Sequence, residues 1–88
     1  MNIAIVDDRK IELETVETFL RFYIKKFWAQ YESLIHIETF YSAQDFLMFF
    51  SPKIYHLVIL GEHMRDILKF IGSYDAKVLF IEPQEDSL

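Results

Sequence analysis

Met1-Asn2-Ile3-Ala4-Ile5-Val6-Asp7-Asp8 opens the chain with four consecutive apolar residues and then two carboxylates. An unbroken apolar run, rather than an alternating one, suits a strand buried on both faces, which is the situation of strands in a parallel sheet. The acidic pair then falls at the polar rim where the strand ends, the usual arrangement for a divalent cation at the mouth of such a sheet. A third carboxylate at the end of another strand would complete that site. The strand in question reads Tyr55-His56-Leu57-Val58-Ile59-Leu60-Gly61, and Gly61 has no side chain to offer.

Outward from that strand the periodicity changes. Over residues 9–31, Leu13, Val16, Leu20, Tyr23, Ile24, Phe27 and Tyr31 recur at three- and four-residue spacing and predict one long helix, with Glu14, Arg21 and Lys25 opposite. Ile11, Phe19, Phe22 and Trp28 lie off that stripe, and several aromatics off the main face of one helix predict a second buried surface. Residues 35–40 alternate as an edge strand does, with Ile35, Ile37 and Thr39 on one side and His36, Glu38 and Phe40 on the other. Ser42-Ala43-Gln44-Asp45 reads as a helix N-terminus, and Ser51-Pro52 as its stop. Residues 57–60 form a second doubly apolar strand. A short helix through Met64, Ile67, Leu68 and Ile71 is closed by Gly72, and residues 78–81 form a last apolar run before Pro83. The order β-α-β-α-β-α-β predicts an α/β fold, an open parallel sheet of about four strands with right-handed crossovers and flanking helices. Residues 1–82 make one domain, and residues 83–88 a polar, frayed tail.

Composition narrows the function. With 88 residues there is room for one small domain, and at 52% hydrophobic and 17% aromatic the chain carries more apolar surface than so small a core absorbs. A net charge of −5 without a long basic run argues against nucleic acid, since phosphate binding needs clustered Lys and Arg. Arg21, Lys25 and Lys26 read as the solvated side of the first helix. The absence of cysteine excludes disulfides and thiol chemistry. No charged leader precedes a long apolar core and no apolar stretch spans a bilayer, so a cytoplasmic protein that does not enter a membrane is expected.

The chain resembles the receiver domain of bacterial two-component response regulators, the CheY-like, flavodoxin-like fold, especially the kind that precedes a LytTR DNA-binding domain. The matching stretches are Met1-Asn2-Ile3-Ala4-Ile5-Val6-Asp7-Asp8, Ile37-Glu38-Thr39-Phe40-Tyr41-Ser42-Ala43, residues 55–64, and Asp75-Ala76-Lys77-Val78-Leu79-Phe80-Ile81. In that family the first acidic pair helps to hold Mg²⁺, and an aspartate ending the third strand accepts a phosphoryl group from a histidine kinase. A Thr or Ser ending the fourth strand senses that group, and a Lys ending the fifth pairs with it. Here Asp7 and Asp8 match the metal pair, Gly61 stands at the acceptor position and Glu82 where the Thr or Ser would be. The sequence stops before a fifth strand, and the Pro-Gly-rich loop usual between Met64 and Arg65 is missing. The resemblance therefore implies a degenerate, truncated receiver that is not an enzyme.

The acidic residues admit more than one reading. Asp8 can cap the first helix while Asp7 is the solvated end of a strand. Alternatively Asp7, Asp8 and Glu82 retain a weak Mg²⁺ or Ca²⁺ site, the only cofactor expected. Glu62 or His63, beside Gly61, could serve as substitute phosphoacceptor in a phosphorelay, although a strand neighbour such as Glu62 points to the opposite face. His36, His56 and His63 are too scattered in sequence to suggest a metal cluster.

Without further helices to cover both faces of the sheet, the remedy expected is a second chain. Burial of apolar surface contributes about 25 cal/mol per Å², enough to matter to a small domain. A symmetric homodimer is expected through the first helix, with Phe19, Phe22 and Trp28 at its centre, or through the last strand, with Val78 and Phe80. Packing of those aromatics under a loop of the same chain is the alternative. A receiver domain or a histidine kinase are the other partners implied, and a truncated relic without a selected role is a third possibility.

Overall fold

In the computed structural model, residues 1–50, 54–71 and 77–82 are described. Four parallel strands, β1 (Asn2–Val6), β2 (His36–Phe40), β3 (Leu57–Gly61) and β4 (Lys77–Ile81), form one sheet in the order β2-β1-β3-β4. The fold is α/β with flanking helices, and this order is that of the first four strands of a flavodoxin-like sheet. β1 is central, pairing Val6 with Phe40 of β2 on one side and with Leu60 of β3 on the other. Residues Ile3 to Val6 are all buried, as a strand covered on both faces requires.

Alternation along the strands divides the core into two layers. Ala4, Val6, Phe40, Val58 and Leu60 face one way and meet Phe46 of α2 (Ala43–Phe49), Tyr55, Ile67 and Ile71. Ile3, Ile5, Ile59 and Ile81 face the other way and meet Leu13 of α1 (Lys10–Phe27), with Val16 and Leu20 partly buried beside them. Ile71 belongs to a short α3 (Leu68–Ile71), preceded by a 3₁₀ segment over Glu62–Ile67. The Ser42 hydroxyl accepts the Asp45 backbone N–H at 3.0 Å, so α2 begins where its sequence signal stands.

Two expectations need correction. α1 does not continue to Tyr31: its geometry breaks at Trp28, and Ala29–Leu34 is a 3₁₀ helix. No Gly or Pro marks that break, and Tyr31 merely keeps the helical spacing. Of the predicted core stripe, Tyr23, Phe27 and Tyr31 are exposed, whereas Ile24 among them is buried. The helix stop at Ser51-Pro52, the Gly72 cap, Pro83 and the tail over residues 83–88 lie outside the described residues.

The acidic rim at the ends of β1 and β3

In an open parallel sheet the crevice forms at the C-terminal strand ends where the strand order reverses. Here that point lies between β1 and β3, because the chain goes from β1 outward to β2 and from β3 outward to β4. Asp7 and Asp8 follow β1, while Gly61 ends β3 and Glu62 and His63 follow it. Register pairs Val6 with Leu60, which sets Asp7 level with Gly61.

Asp7 is not the solvated end of a strand; its side chain is 0% exposed. Its Oδ1 accepts the Arg9 backbone N–H at 2.9 Å and Arg9 Nε at 3.0 Å, and its Oδ2 accepts Arg9 Nη2 at 2.9 Å. A buried carboxylate survives only when paired and hydrogen-bonded. The Arg9 guanidinium meets both conditions, and its hydrogen bond to Asp7 raises its own pKa against the opposing effect of burial. The capping role expected of Asp8 also belongs elsewhere. Asp7 makes the turn that leads into α1, and Asp8 is exposed and meets His63, whose Nε2 lies 2.5 Å from Asp8 Oδ1 and 3.8 Å from Asp7 Oδ1.

Gly61 closes the rim from the other side. A Cβ on it would stand 2.9 Å from Asp7 Oδ2 and 2.9 Å from His63 Cε1, closer than such atoms approach. Asp7, held by Arg9, thus fills the space that a side chain at position 61 would need. Glu62 turns away and forms a two-point pair with Arg65, at 2.9 and 2.7 Å, and that guanidinium lies 3.9 Å over the Phe80 ring.

The histidines are not all scattered, as their sequence positions suggested. Ligand atoms of Asp7, Asp8 and His63 lie within 4.8 Å of one another, and Glu82, exposed after β4, is not a member of that group. The set offers a cation two carboxylates and an imidazole, a poorer match to Mg²⁺ than an all-oxygen shell. Both Asp7 oxygens carry the guanidinium, one Asp8 oxygen carries an imidazole, and position 61 supplies nothing. Arg9 escaped the sequence reading, and His63 entered it as a substitute phosphoacceptor rather than as a partner of Asp8. An Asp two residues before a cation at a strand end is the local signal for the first. The second follows only from knowing that β1 and β3 are neighbours.

Of the expected interface residues, Phe19, Phe22 and Trp28 are exposed, the first two by 63% and 57%. Val78 and Phe80 instead turn into the layer shared with α2 and α3 and are half-buried. The exposed apolar residue of β4 is Leu79, at 45%, on the same face as α1. No protein-family model, curated protein or solved structure matches the chain, so its functional reading rests on this geometry.

Proposed function

We propose that the chain is a non-catalytic, receiver-like module of two-component-type signalling that acts without phosphorylation, by association with its own copy or with a signalling partner such as a receiver domain or a histidine kinase. The observation that carries this reading is the packing of Gly61 on Asp7: the acceptor position lacks an oxygen, and it lacks the room for one. Phosphoryl transfer needs a positioned acceptor and a cation over the developing oxygen charge. Arg9 already holds the carboxylate that would recruit that cation. A cytoplasmic setting is part of the proposal; among the described residues no helix is long and apolar enough to cross a membrane.

The experiment is intact-mass measurement after incubation with acetyl phosphate and millimolar Mg²⁺, paired with light scattering. An unchanged mass and an assembled species are expected. Gain of one phosphoryl group would instead make the chain a phosphorelay receiver with a substitute acceptor.

A further inference from the structure

Helix α1 is apolar on two opposite sides. Leu13 and Ile24 are buried, while Ile11, Phe19 and Phe22, with Thr15 and Thr18 between them, form an outer stripe that no other described element covers. At 100° per residue those outer positions recur at four-, three- and four-residue steps, the spacing of a helix–helix seam. The two threonines suit burial: Thr15 Oγ1 donates to Ile11 O at 2.7 Å and Thr18 Oγ1 to Glu14 O at 2.8 Å, so covering them strands no donor.

The charges flanking the stripe are segregated along the axis. Glu12, Glu14 and Glu17 occupy the N-terminal half, where Lys10 is bridged to Glu14 at 3.9 Å, and Arg21, Lys25 and Lys26 the C-terminal half, which holds no acid. A parallel copy would set the acidic half level with the partner's acidic half. An antiparallel copy sets the acidic half against the basic half.

We infer that the outer stripe of α1 seats the same stripe of a second copy, antiparallel, about a two-fold axis at Phe19. This rests on the association reading above and deepens it by naming partner, orientation and register. With the axis there, Phe19 meets the partner's Phe19, and Phe22 comes within one residue of the partner's Thr15. Glu17 comes level with the partner's Arg21, Glu12 with the partner's Lys26, and Glu14 within one residue of the partner's Lys25. In an antiparallel pair like flanks face each other, so Glu14, Glu17, Arg21 and Lys25, which share one flank, meet their counterparts directly. The existing Glu17–Arg21 bridge, at 3.0 Å, is doubled into a ring of four charges around the axis.

Magnitudes assign separate tasks to the two kinds of residue. Exposed ion pairs contribute little affinity but fix orientation. Affinity comes from the rings: an aromatic side chain buries roughly 150–250 Å², and the exposed parts of Phe19 and Phe22, with Ile11 and the Lys26 stem, bring two copies to on the order of 800 Å², the size of a weak, transient interface.

The test is sedimentation equilibrium at low salt on the wild-type chain, on E14K/E17K, on R21E/K25E, and on the two variants mixed. A wild-type dimer is expected, weakened at least tenfold in each variant and regained in the mixture. Because the chain has no cysteine, F19C supplies a second readout. Mild oxidation should cross-link it faster than M48C, whose side chain is equally open on α2. A wild-type chain that stays monomeric to millimolar concentration overturns both this geometry and the self-association it rests on. A dimer that ignores both charge reversals, or that cross-links no faster at position 19, overturns the geometry alone and leaves association standing.

Discussion

The guanidinium of Arg9 spans both carboxylate oxygens of Asp7, with Nε 3.0 Å from Oδ1 and Nη2 2.9 Å from Oδ2, and so occupies the oxygens that a divalent cation would draw on. Removing one member of a buried pair strands the other. Arg9→Ala is expected to destabilise the fold by about 2–3 kcal/mol, below the upper range for buried pairs because the Arg9 side chain keeps 29% of its surface in solvent. The double variant Asp7→Asn/Arg9→Ala should lose less than Arg9→Ala alone. Urea midpoints of the three proteins decide it, and a double variant worse than the single one would contradict the stranded-charge account.

Gly61→Ala should cost about 1–3 kcal/mol, the range for overpacking, since its methyl would press on Asp7 Oδ2 and His63. Gly61→Asp, which places here the acceptor of the receiver domains that the sequence resembles, is expected to remain unphosphorylated by acetyl phosphate with Mg²⁺. Thermal unfolding measures the first effect and intact mass the second.

Tyr55 sets an alkaline limit. Burial, and then its hydrogen bond to Glu38 at 2.7 Å, push its hydroxyl pKa upward. The folded state therefore favours the neutral phenol. That contribution is complete below the unfolded value of about 10 and is lost as pH rises through the folded value. Tyr55→Phe should cost about 1 kcal/mol at neutral pH and should flatten the fall in stability between pH 9 and pH 11, measured by denaturant titration at each pH.

Ser42→Ala removes the acceptor for the Asp45 N–H and should cost about 1 kcal/mol, whereas Ser42→Asp should be nearly neutral, because both side chains cap well. A difference in urea midpoint between the two variants is the readout.

What the sequence made legible is what local chemistry decides. The doubly apolar strands and the Ser42–Asp45 cap stand as the pattern implies, because burial on both faces and a missing hydrogen-bond partner each leave a mark within a few residues. The break of α1 at Trp28 left none, since aromatic residues keep helical spacing through Tyr31. On β4 the run over residues 78–81 is apolar throughout, so which of Phe80 and Leu79 faces solvent depends on which layer lies above, a tertiary fact. The rim was half legible. Asp7, Asp8 and Gly61 follow from strand ends, but the burial of Asp7 under Arg9 and the approach of His63 to Asp8 depend on the adjacency of β1 and β3.

Glu82 lies outside the acidic rim, yet its position has a physical meaning. β4 is an outer strand of the described sheet, and Val78-Leu79-Phe80-Ile81 is an uncharged, β-prone run with its edge unpaired. Runs of that kind template edge-to-edge aggregation unless charges stand at their ends. Lys77 and Glu82, both exposed, bracket it on either side. Charges so placed disfavour edge-to-edge pairing, and replacing both with apolar residues is expected to promote aggregation through β4.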